Sequence, residues 1–144
     1  MEEIFTHRVS VSLILTNEQS KILLVRRQPS KEYIGDNYSP INVYLSESDT
    51  VFPALIEAAI ERLGITISLK DLSFVLCMQI KKEEQNEFVL FVRASRFKGD
   101  IVLNPMYYDD SMWCNTELLP LNTEDYIRRA IQCLKKGTTF IVFP

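Results

Sequence analysis

Glu57 and Glu61 stand four residues apart, with Arg62 directly after, inside a stretch of helical periodicity. Residues three and four apart share one face of a helix, so the two carboxylates are neighbours there. A displaced carboxylate pair of this kind offers oxygen ligands to a hard divalent cation. Arg62 screens the repulsion between the pair, and its fork of donors suits an anion better than a lysine would. The plainer reading of the three is a solvated charged helix face. Arg26 and Arg27 close an apolar segment and read on their own as ordinary strand-end charges. Tyr33, Tyr38, Tyr44, Tyr107 and Tyr108 could stack on a base or sugar, although packing explains them equally well. Other chemistries fare worse. His7 is the only histidine, so no histidine-based metal site or dyad can form within one chain. Ser46 and Ser48 lack a G-x-S-x-G setting, and Cys114 beside Trp113 reads as a small buried hydrophobe.

The chain has 144 residues, 47% hydrophobic and 24% charged, the composition of one folded domain over 1–144. With 16 Lys+Arg against 19 Asp+Glu, the net charge of −3 argues against binding of duplex nucleic acid. No apolar run reaches the roughly 20 residues of a membrane span. The Met-Glu-Glu start lacks the basic-then-apolar layout of a signal peptide. Cys77, Cys114 and Cys133 are odd in number and far apart, which predicts reduced thiols and a cytoplasmic location.

These residues need elements to position them. Residues 9–15 and 21–25 read as strands joined by the turn residues 17–20, which predicts a hairpin. Residues 28–49 form a long loop with a short strand at 41–45, and long loops in compact domains are usually functional. Over 50–63, Phe52, Leu55, Ile56, Ala59, Ile60 and Leu63 form an inward stripe, with Asp49 or Thr50 to cap it and Gly64 to stop it. Residues 72–80 and 88–94 are two further strands joined by a charged turn, and 101–103 is another candidate. Residues 112–114 lead into a helical turn at 117–119. A helix over 123–136 with Tyr126, Ala130, Ile131 and Leu134 inward ends at Gly137, and 138–143 is a tail strand. The fold class is α/β.

This order, with Leu24, Val25, Arg26 and Arg27 ending a strand, Pro40 upstream of the helix, Leu63-Gly64-Ile65 closing it and Trp113 before Glu117, resembles the Nudix hydrolase family. The family pattern, G-x5-E-x7-R-E-U-x-E-E-x-G-U with U a bulky aliphatic, falls on residues 43–65 without a gap. Only Glu61 and Gly64 match its fixed glycine and charged positions. Asp49 shortens the first glutamate, while Val43, Glu57, Ala58 and Arg62 replace glycine, arginine and two glutamates. The resemblance implies an α/β/α sandwich, with a mixed sheet between the two main helices. It also implies a cleft in which Arg26 or Arg27 meets ligand phosphates, and a late-loop acid, here Asp109, joining the site.

Family members use Mg²⁺ or Mn²⁺ to neutralise a pyrophosphate and activate water. Their ligand glutamates fall here on Ala58, Glu61 and Arg62, which do not make a divalent-metal site. The expected function is therefore a Nudix-fold protein with a degenerate metal site and no resident cofactor. It would bind a nucleotide-like or phosphorylated ligand through Arg26, Arg27 and Arg62 with little or no hydrolysis. A working hydrolase is the alternative, with Glu61 and Glu57 catalytic and Mg²⁺ or Mn²⁺ on Glu61, Glu57 and Asp109, helped by Glu47 and Asp49. A protein-interaction module using the edge near 140–143 is a further alternative. The resemblance also makes a homodimer an expectation.

Overall fold

The computed structural model describes residues 3–30 and 35–144. β1 (Arg8–Leu15) alternates strictly, with Val11, Leu13 and Leu15 in one apolar cluster and Ile14 in a second. β2 (Ile22–Arg27) does the same, with Leu23 and Val25 facing the first cluster and Ile22 and Leu24 the second. Strands apolar on both faces must be covered on both sides. β3 (Tyr38–Ser39) and β4 (Asn42–Tyr44) follow, then α1 (Val51–Leu63), β5 (Leu72–Ile80), β6 (Glu87–Ala94), β7 (Tyr108–Cys114), α2 (Asp125–Lys136) and β8 (Phe140–Phe143). A five-stranded sheet runs β4-β1-β6-β5-β8, parallel at β1/β6 and β5/β8, and a three-stranded sheet runs β3-β2-β7. Leu55, Ala59 and Leu63 of α1 close the first cluster; Ile127, Ala130, Ile131 and Cys133 of α2 close the second. The mixed α/β architecture is thus as expected. Among the described residues, no helix is long and apolar enough to cross a membrane.

Several local expectations change. β1 and β2 are not a hairpin: only one bridge, Thr16 to Ile22, links them, because β4 and β6 occupy the two edges of β1. Ile60 is 53% exposed rather than inward, and Phe52 and Ile56 are half-buried, while Ala54 and Ala58 are buried. The helix turns its alanines to the sheet, where small side chains permit close approach, and lifts Ile60 into solvent. Neither expected N-cap bond forms. Thr50 makes no side-chain cap, and Asp49 instead accepts from Ser46 N–H at 2.7 Å and Ser46 Oγ–H at 2.8 Å. Gly64 does stop α1, at φ 69°, a left-handed conformation that disfavours any Cβ.

Residues 101–103 form no strand. Val102 N–H donates to Leu63 O and Asn104 N–H to Arg62 O, so this segment satisfies carbonyls that the end of α1 leaves open. Residues 117–119 form a turn, not a helix, with Glu117 N–H bound by Asn115 Oδ1. The preceding segment is longer than expected: β7 pairs with β2 from Tyr108 onward. In α2, Ile127 and Cys133 are fully inward, while Tyr126 and Leu134 are half-buried at its margin. The tail strand β8 adds in parallel to β5.

Candidate functional site

The last turn of α1 carries Glu61 and Arg62 towards the segment before β7, with Ala58 one turn earlier. Ala58 is buried against the sheet at 5% exposure. Glu61 is exposed, and its carboxylate accepts from the Tyr107 hydroxyl at 2.6 Å, which pushes the Tyr107 phenol above its ordinary value. Arg62 turns away from the exposed face of the helix. Its Nη1 donates to Asn42 O at 3.0 Å and to the Tyr108 hydroxyl at 3.2 Å, and its guanidinium lies 4.5 Å from the Tyr107 ring centre. Its Nε is buried with no protein partner. Glu57 lies one turn earlier and is exposed.

Arg26 and Asp109 meet each other. The Arg26 Nε donates to Asp109 at 2.7 Å, and the guanidinium is 5.6 Å from the Tyr38 ring. Asp110, next along β7, accepts from the Tyr38 hydroxyl; that bond, more than the nearby Arg26, holds its carboxyl below the usual range. Among the described residues no three His, Cys, Asp or Glu side chains come together as a set able to hold a metal. Two of the acids expected beside Glu61 are engaged elsewhere. Asp109 faces Arg26, and Asp49 closes the turn at Ser46.

Arg27 and Arg62 do share a place. They line a cleft of about 750 Å³ with Asn42 and Tyr44 of β4, Tyr107 and Tyr108. Ser10 and Val89 lie at its sheet side, and Glu124, Asp125 and Tyr126 bring the start of α2 to its rim. A cleft of this size suits a drug- or nucleotide-sized ligand. Glu87, 4% exposed, is bound within the wall by Lys82 at 2.9 Å and by the Tyr44 hydroxyl at 3.3 Å. Burial pushes the phenols of Tyr108 and Tyr126 upward, so both stay neutral donors. Ser10 is wholly buried, and its Oγ, like Arg62 Nε, has no protein partner. Sequence reasoning missed Ser10. Its only signal was a serine at an alternate position in an otherwise apolar strand. Tyr38 lies outside this lining, and Tyr33 lies outside the described residues.

Solved structures share this fold. A MutT NUDIX hydrolase from Burkholderia pseudomallei is 17% identical, with TM-score 0.75 over 88% of this chain and 97% of that one. The MutT protein from Methanosarcina mazei Go1 is 14% identical, with TM-score 0.79 over 94% and 97%. The chain has the Nudix fold. A MutT protein from Bacillus halodurans is similar as well, at 13% identity and TM-score 0.73 over 94% and 88%. No protein-family model matches the sequence, and no curated protein does. At these identities the likeness shows the Nudix fold alone. The divalent ion of Nudix chemistry does not fit the residues present: one ligand position is a buried methyl, one a guanidinium, and Glu61 is tied to Tyr107.

Proposed function

We propose that this Nudix-fold protein binds a nucleotide-like or phosphorylated small molecule in the Arg27–Arg62 cleft without a divalent ion and with little or no hydrolysis. The observation carrying this reading is the pair of buried polar atoms, Ser10 Oγ and Arg62 Nε, left without protein partners on the lining of one cleft. A buried unsatisfied donor costs about 1–3 kcal/mol, and an anionic oxygen relieves that cost with a charge-assisted bond. Arg62 Nη1 is held by Asn42 and Tyr108, so the guanidinium is pre-oriented for such an oxygen. Tyrosine rings along the lining supply flat apolar surface for a base or sugar. Glu124 and Asp125 at the rim supply acceptors for its amino or hydroxyl groups.

Calorimetry with nucleoside mono-, di- and triphosphates in EDTA tests this. Binding is expected without Mg²⁺ and should weaken as salt rises. Ser10→Ala should raise the melting temperature of the free protein, because it removes an orphaned hydroxyl, yet shrink the shift produced by ligand. Mg²⁺-dependent turnover abolished by Glu61→Gln would replace this reading with a rearranged metal site.

A further inference from the structure

The cleft of about 750 Å³ is large enough for a whole nucleotide, so size alone does not choose between one phosphate and three. Its charges do. Among the described residues the lining carries three cations, Arg27, Arg62 and Lys82, and three acids, Glu87, Glu124 and Asp125. Lys82 is joined to Glu87 at 2.9 Å, which closes that pair within the wall. The lining therefore presents no excess of positive charge, and the chain as a whole carries −3. The rim acids are fixed in place. Glu124 N–H donates to Tyr38 O, and its carboxylate accepts from Asn37 Nδ2–H at 3.4 Å. Asp125 stands in the first turn of α2, where a negative side chain already complements the positive end of the helix. That end offers little to a phosphate.

We propose that the cleft selects a phosphomonoester with an uncharged body, a nucleoside or sugar monophosphate, against the corresponding di- and triphosphates, and that Glu124 and Asp125 enforce the choice. This rests on the metal-free phosphate binding at Arg62 proposed above. A phosphomonoester carries about −2 and three strong acceptor oxygens. That charge matches the two arginines of the lining, and the oxygens suffice for the orphaned Ser10 Oγ and Arg62 Nε. Each further phosphate adds negative charge with no further cation on the lining to meet it. The residues present do not fit a divalent ion that would neutralise it, and Glu124 and Asp125 repel it. Like charges set against each other suppress the wrong ligand. The same carboxylates accept from the hydroxyl or amino groups of an uncharged body, so the acids that repel a phosphate chain hold a sugar or base.

Calorimetry of the full chain in EDTA tests this with the mono-, di- and triphosphates of adenosine, guanosine, cytidine and uridine, and with ribose 5-phosphate. The best-bound monophosphate should bind at least about tenfold more tightly than its triphosphate, with the diphosphate between. Ribose 5-phosphate binding as tightly as that nucleotide assigns the cleft to sugar phosphates, and weaker binding assigns it to nucleotides. Raising salt should shrink the ratio of the two affinities, because screening weakens the repulsion, whereas a steric limit would leave it constant. Glu124→Gln and Asp125→Asn should each shrink it by about threefold. A ratio compares two ligands on one protein, so a general loss of affinity does not imitate this effect. A triphosphate that binds as tightly as its monophosphate, or a ratio unmoved by salt or by both variants, overturns the selectivity and leaves the cleft a phosphate site. Binding of none of these ligands overturns the cleft reading and this inference with it.

Discussion

Arg62 stands where the Nudix pattern would have its last glutamate, and its contacts tie it into the packing between three elements. The guanidinium bridges Asn42 O and the Tyr108 hydroxyl, joining α1 to β4 and β7. Ala58, one turn earlier, has no room for a solvated carboxylate, being 5% exposed. Ala58→Glu should therefore lower stability by about 1–3 kcal/mol in urea unfolding, unless the carboxylate finds Arg62. An unchanged midpoint together with measurable Mg²⁺ binding would show the site to be closer to a metal centre than this packing implies. Asp110 gives a pH test. Its carboxyl is depressed chiefly by the Tyr38 hydroxyl, so its stabilising effect is complete above the unfolded carboxylate value and is lost as pH falls through the folded one. The melting-temperature gap between the wild type and Asp110→Asn should stay constant above about pH 5 and close below about pH 4. A gap that widens in acid would rule out that bond as its source.

At the scale of the element, α1 is rotated relative to the stripe its apolar residues predict. Leu55, Ala59 and Leu63 point inward as expected, but Ile60 gives its place to the smaller Ala54 and Ala58. Leu63→Ala should cost about 2–5 kcal/mol, as for other buried leucines, and Ile60→Ala less than about 1 kcal/mol. Equal losses in denaturant titrations would put the helix in the other register. β7 shows the opposite case. Tyr108 to Cys114 contains Asp109, Asp110 and Ser111, which read locally as a turn. Its strand geometry comes from pairing with β2, which no local pattern records.

For the whole molecule, β8 ties the tail to both the core and the cleft. Ile141 and Phe143 pack against the α2 cluster, and Phe143 lines the cleft beside Ile80. Removing residues 138–144 opens the edge of β5 and uncovers apolar surface, so the melting temperature should fall and the ligand-induced shift should shrink with it. A truncated chain with unchanged melting and unchanged ligand response would make the tail incidental to both.

The strands around residues 9–15, 21–25, 72–80 and 88–94, both helices and the helix stop at Gly64 were legible because each is set by period or by the φ of one residue. That Ala58 and Arg62 stand where the Nudix pattern would have carboxylates was equally plain, since residue type is read directly. Pairing was not. β1 takes β4 and β6 instead of its sequence neighbour β2, a choice between long-range contacts of similar local signature. For the same reason only the tertiary structure could join Arg26 to Asp109, which are 83 residues apart, and separate both from Arg62. It alone could leave Ser10 and Arg62 with unpartnered atoms on one cleft, because satisfaction of a buried polar group depends on everything packed around it.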